Sequence, residues 1–107
     1  MKYITFTIPC YNSENYMRRC VDSLLVGGED VEILIIDDGS SDRTGAIADE
    51  YEMLYPNIVK AVHKPNGGHG SGVNKGLELA HGLYYKVVDS DDWFDRDAYL
   101  KMLDKIK

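Results

Sequence analysis

The sequence is poor in cysteine and in positive charge, and it has no long apolar run. Two cysteines, Cys10 and Cys20, cannot build a disulfide framework, and nothing marks the chain for secretion. They read as small buried hydrophobes in a reducing compartment. Twelve Lys and Arg against eighteen Asp and Glu leave a net charge of -6. That excludes a grip on nucleic acid through its phosphates, which needs clustered cations. It does not exclude an anionic ligand held through a metal. No apolar stretch approaches the ~20 residues of a transmembrane segment, and the start is not a signal peptide. His63, His69 and His81 share no metal-ligand spacing on a helix face and read as surface or loop residues. Repeats, linkers and low-complexity segments are absent. The 107 residues form one domain at most, and 44% hydrophobic content suits an ordinary globular core.

What the chain does contain is an alternation of apolar runs and helical periodicities. Tyr3 to Ile8 is a strand candidate that Pro9 ends, because proline donates nothing to the ladder. Asn12 and Ser13 offer N-caps, and Tyr16, Met17, Cys20, Val21, Leu24 and Leu25 then recur on one helical face. Gly27 and Gly28 stop that helix. Val31 to Ile36 is a second strand, followed by Asp37 and Asp38, a turn at Gly39, and a helix capped by Ser41 or Asp42. Ala46, Ile47, Tyr51 and Leu54 face the core from it. Ile58 to Val62 is a third strand. The run from Lys64 to Gly72 holds four of the ten glycines. It suits a loop whose amides approach a ligand, or equally a connector. Val73 to Ala80 is helical, with Val73, Leu77 and Ala80 on one face. A fourth strand ends at Val88, and a helix runs from about Arg96 to Ile106. The pattern βαβαβαβα predicts a mostly parallel, doubly wound α/β sheet. Core packing accounts for most of the eight tyrosines.

Acids cluster where strands end. Asp37 and Asp38 follow the second strand; Asp89, Asp91 and Asp92 follow the fourth. In a parallel sheet these groups gather on the carboxyl edge, where ligands bind. Three carboxylates within four residues repel one another unless a cation lies between them, and hard oxygen ligands favour magnesium or manganese. The plainer reading is an acidic turn that caps the next helix. A cleft with acids on both sides and a metal suits a nucleotide diphosphate. A dinucleotide fold is disfavoured, since no Gly-x-Gly-x-x-Gly follows the first strand, and Gly-Lys-Ser/Thr is missing from the glycine-rich run.

Four segments carry a family resemblance: Phe6-Thr-Ile-Pro-Cys-Tyr-Asn-Ser-Glu14, Val31-Glu-Ile-Leu-Ile-Ile-Asp-Asp-Gly-Ser-Ser-Asp42, Asn66-Gly-Gly68 with Asn74-Lys-Gly76, and Val88-Asp-Ser-Asp-Asp92. In this order they resemble the N-terminal half of family 2 glycosyltransferases of the GT-A, Rossmann-like fold. The resemblance implies a nucleotide-sugar donor, usually a UDP-sugar, with Mn2+ or Mg2+ as cofactor. It implies that Pro9 and Tyr11 line the base pocket and that Asp38 reads the uracil edge, with Asp37 beside it. Asn74 and Lys75 are implied donor contacts. Asp89, Ser90 and Asp91 match the Asp-x-Asp motif that binds ribose and metal, and Asp92 extends it as an alternative metal ligand. The reaction implied is inverting displacement by a sugar or lipid-linked sugar acceptor hydroxyl, in polysaccharide or glycoconjugate synthesis. The implied location is cytoplasmic, including the inner face of the membrane.

Residues 1–107 then read as the donor-nucleotide-binding part of a truncated enzyme, with the base and the acceptor half beyond Lys107. The fragment alone is expected to transfer little sugar. Two features depart from the family pattern: Gly72-Val-Asn-Lys75 stands where Ala-Arg-Asn is common, and Asp95-Arg96 where a proline often follows the acids. Two other readings stay open, a receiver-like phosphoacceptor domain and a non-catalytic nucleotide-binding module. The glycosyltransferase reading requires Asp38 on the same rim as Asp89 and Asp91.

Overall fold

The computed structural model describes all 107 residues. Strands and helices alternate as expected: β1 (Ile4–Cys10), α1 (Met17–Leu25), β2 (Val31–Asp38), α2 (Thr44–Leu54), β3 (Val59–Lys64), α3 (His69–Leu79), β4 (Tyr84–Val87) and α4 (Arg96–Ile106). All four strands are parallel, in the order β3-β2-β1-β4. The chain steps outward from β1 to β3 and then returns to the other side of β1. That reversal opens a crevice at the carboxyl ends of the central strands.

Side-chain alternation splits the sheet into two faces. Ile4, Phe6, Ile8 and Cys10 of β1 and Val31, Ile33 and Ile35 of β2 share one core with α1, α2 and α4. Phe6, Phe94 and Tyr99 meet edge-to-face there, with ring centroids 5.3 to 5.6 Å apart. Full burial of a ring such as Phe6 stabilises the core by about 1.5–3 kcal/mol. Both cysteines are buried and free, and burial pushes each thiol up to about 12.

The opposite face carries Thr5, Thr7 and Pro9 and is covered by α3, which packs on β1 and β2. Helix α3 begins at His69 rather than Val73, so the glycine-rich run is half helix. The expected apolar face is not the one that packs: Leu77 is 58% exposed, while Gly72 and Gly76 are the buried positions. A Cβ on Gly72 would lie 3.3 Å from Pro9 Cβ. On Gly76 it would meet Thr7 Cγ2 at 2.5 Å and Tyr85 Oη at 2.7 Å. Missing side chains let this helix lie directly on the sheet, which outweighs glycine's poor helix propensity.

Other expectations need correction. Strand β1 runs through Pro9 to Cys10. The Val88 amide donates to Thr7 O, so Thr7 and, two residues on, Pro9 turn their polar groups toward β4. There β4 has already ended, and the absent N–H breaks no ladder bond. Asn12 and Ser13 do not cap α1, whose N-cap position is Tyr16. Asn12 instead sits at φ 49, and its side chain accepts from the Ser41 amide. Tyr16 is exposed, as are Ala46 and Leu54 of α2, while Ala48 takes the core position. Only Tyr51 and Tyr99 of the tyrosines are buried, so core packing does not explain most of them.

The glycine stripe is directly testable. Gly76→Ala should lower unfolding stability by about 1–3 kcal/mol through overpacking. Gly70→Ala, with nothing within 4 Å of the new methyl, should raise it by about 0.5–1 kcal/mol. Urea denaturation of both variants decides, and equal effects would contradict the close helix–sheet approach.

Candidate active site

The ends of β2 and β3 lie in register, with Asp37 opposite His63 and Asp38 opposite Lys64. Successive residues point to opposite faces, so the two acids diverge. Asp37 turns toward α2: its Oδ1 accepts from the Ser40 amide at 3.0 Å, and its Oδ2 faces His63 Nδ1 at 3.0 Å. Asp38 turns toward α3 and carries a different load. Its Oδ1 accepts from Lys64 Nζ at 2.7 Å and from the Gly67 amide at 2.9 Å, and its Oδ2 from the Gly68 amide at 2.9 Å. Burial alone would raise this carboxyl. The Lys64 ammonium and the two amides outweigh burial and hold it below the ordinary carboxylate range.

This clamp shapes the loop before α3. Gly68 adopts φ 89, a conformation that favours glycine, and the chain then enters the helix at His69. The result is a small open hollow lined by Pro9, Cys10, Tyr11, Asp38, Gly68 and His69. Three of these are expected site residues: Pro9, Tyr11 and Asp38. The Tyr11 ring is 54% exposed beside the hollow, with no core role. His69 was not anticipated from sequence; glycines on both sides hid its place in a helix start.

The acidic segment after β4 approaches the same edge. His69 Nε2 stands 3.5 Å from Asp89 Oδ1, joining the hollow to the acids. Ser90 Oγ lies 2.9 Å from Ser13 Oγ, two residues beyond Tyr11. The Asp89 carbonyl accepts from Cys20 Sγ and from the Asp92 amide, which folds the segment into a turn over α1. Arg19 lies 3.3 Å over the Trp93 ring and secures its far end. Asp38 and the acids therefore share one rim, as the glycosyltransferase reading requires. Asn74 and Lys75 do not line the hollow. Lys75 instead faces Glu78 at 3.7 Å one turn along α3.

No three His, Cys, Asp or Glu side chains converge into a ready-made metal cage. Asp91 and Asp92 are exposed, without a cationic partner among the ion pairs. This donor set fits magnesium or manganese, which take one or two carboxylates and complete their shell with water and substrate phosphates. The three histidines lie at the surface, as expected. Each faces a carboxylate: His63 faces Asp37 and Asp49, His69 faces Asp89, and His81 faces the buried Glu32.

The Asp38 clamp makes a stability prediction. Its folded carboxyl titrates below its unfolded value, so its contribution is complete above about pH 3.9 and disappears as pH falls through the lowered value. Asp38→Asn should cost about 2–3 kcal/mol at pH 7, because Lys64 loses its counter-charge and the side-chain NH2 replaces one accepting oxygen, so a donor faces a loop amide. Urea unfolding at pH 7 and pH 3 should show the gap between variant and parent narrowing in acid. A gap that is absent at pH 7 would contradict the clamp.

Comparison with known proteins identifies the family and the fold. The sequence profile described as Glycosyl transferase family 2 matches residues 5–107. The uncharacterized glycosyltransferase MG025 homolog of Mycoplasma pneumoniae is 43% identical over 107 residues, covering 94% of this chain and 36% of that protein. The glycosyltransferase GlyA of Streptococcus pneumoniae is 38% identical, covering 96% of this chain and 15% of that protein. The crystal structure of Staphylococcus aureus TarS 1–349 in complex with UDP superposes with TM-score 0.84 at 28% identity, over 99% of this chain and 32% of that one. The chain thus spans about a third or less of the length of these relatives. No helix in it is long and apolar enough to cross a membrane. With a profile match over nearly every residue and a fold shared to the last helix, the chain belongs to glycosyl transferase family 2.

Proposed function

We propose that these residues form the donor-nucleotide side of a glycosyltransferase that takes a UDP-sugar and passes the sugar, with inversion, to an acceptor hydroxyl. The observation that carries this is one rim: Tyr11 and Asp38 border a hollow whose His69 reaches Asp89. The UDP held by TarS, over a fold this chain matches throughout, supports the choice of nucleotide. In this reading Tyr11 offers its exposed ring to the base. Asp38 spends three hydrogen bonds on Lys64, Gly67 and Gly68. A carboxylate has roughly four lone-pair sites, which leaves one for a uracil N–H. Asp89 and Ser90 face the ribose, and Asp89, Asp91 and Asp92 are the carboxylates that would hold Mn2+ or Mg2+. When bound, that cation neutralises the diphosphate as it leaves. The product is assigned to polysaccharide or glycoconjugate synthesis, with the acceptor and its base outside the groups described above.

Isothermal calorimetry with UDP tests this. UDP should bind in the presence of MnCl2 and weaken at least tenfold in EDTA. Tyr11→Ala should weaken it about tenfold, the loss of one base stacked on an aromatic ring. Asp91→Asn should remove most of the manganese dependence. UDP binding that ignores manganese and survives Tyr11→Ala would contradict this site.

A further inference from the structure

His63 belongs to none of the roles above, yet both of its ring nitrogens are engaged. Nδ1 lies 3.0 Å from Asp37 Oδ2 on β2, and Nε2 lies 2.7 Å from Asp49 Oδ1 on α2. An ionised carboxylate only accepts, so satisfying both contacts requires a proton on each nitrogen. A neutral imidazole would point a lone pair at one of the acids. The clamp is tight against α2: a Cβ on Gly45 would lie 2.7 Å from Asp37 Oδ2 and 3.4 Å from His63 Cε1. No other charged side chain pairs with this ring; the neighbouring Lys64 is committed to Asp38 on the opposite face.

The contacts lead to the proposed donor pocket. The second oxygen of Asp37 holds the Ser40 amide at 3.0 Å. Ser40 Oγ accepts from the Asn12 amide at 3.0 Å, and Asn12 Oδ1 accepts from the Ser41 amide at 2.9 Å. Asn12 follows Tyr11, and Asp37 precedes Asp38. We propose that His63 is a positioning residue, an imidazolium that locks the β2–α2 turn and through it fixes Tyr11 and Asp38, so that nucleotide affinity falls as His63 loses its proton. This rests on the nucleotide-binding function proposed above.

The sign follows from the contacts. Hydrogen bonds to Asp49 and Asp37 raise the His63 pKa against the opposing effect of burial. A raised folded value means the lock is complete below about pH 6.5, the ordinary imidazole value, and opens as pH rises through the folded value. Below that point Asp37 and Asp49 each meet a donor; above it one of them faces a bare nitrogen.

The test combines two readouts on the full chain. Proton–carbon NMR of the His63 ring gives its titration, and the amide signals of Asn12 and Ser40 report whether the turn follows it. Calorimetry with UDP and MnCl2 from pH 6.5 to 8.5 is run on the parent and on His63→Gln. The expected result is a His63 midpoint above about 6.5, with the Asn12 and Ser40 amides moving at the same midpoint. The parent's UDP affinity should drop about fivefold across it, while His63→Gln binds at the weaker level with no midpoint. A His63 midpoint at or below the ordinary value, silent Asn12 and Ser40 amides, or identical affinity profiles in parent and variant would each overturn the proposal. A parent that binds no UDP at any pH would strike the nucleotide-binding function instead, and the two NMR readouts would still decide whether the lock exists.

Discussion

One carboxylate organises the working edge of this domain. Asp38 ends the buried central strand β2 and accepts from the ammonium of Lys64 and the amides of Gly67 and Gly68. An ionised group with so little contact with water needs that many donors to remain charged. In satisfying itself it fixes the loop between β3 and α3. It thereby sets where α3 begins and what lines the hollow beside Tyr11. The register between β2 and β3 supplies the partner, since Lys64 lies opposite Asp38. The same register sets His63 opposite Asp37 on the other face. Two acid–base pairs thus secure the strand end from both sides.

The topology makes this local chemistry useful. Because β4 lies beside β1 rather than beyond β3, the Asp89 segment comes down next to the loop after β1. Ser13 meets Ser90, and His69 meets Asp89, across a crevice that the chain reversal opens. The opposite side of the sheet contributes by closeness rather than chemistry. Gly72 and Gly76 bring α3 flat onto Pro9 and Thr7, which carries His69 to the rim. A helix held off by ordinary side chains would not place it there.

Much of this was legible in the sequence, and the reason is that strand ends announce themselves. Apolar runs ending in Asp37-Asp38 and Asp89-Ser-Asp-Asp92 gave the parallel sheet and the acidic edge together. The start of α3 was not legible, because a run of glycines reads as a loop when only local propensity counts. The decisive contact is with Pro9 and Thr7, some sixty residues earlier, and no local pattern reports it. Asn12 and Ser13 look like helix caps for the same reason; their partners, Ser41 and Thr44, lie in the turn after β2 and at the first position of α2. His63 and Lys64 were recoverable in principle. Aligning the third strand with the second, end to end, sets two bases opposite two acids. Asn74 and Lys75, drawn from family resemblance alone, are not among the residues that line the hollow.

The central claim is that a nucleotide sits on the rim that Asp38 organises. A crystal structure of the chain with UDP and MnCl2 tests it most directly. The account predicts the uracil ring against Tyr11 with its edge toward Asp38, and the diphosphate with manganese toward Asp89 and Asp91. A nucleotide bound on another face, or with its base away from Tyr11 and Asp38, would contradict it.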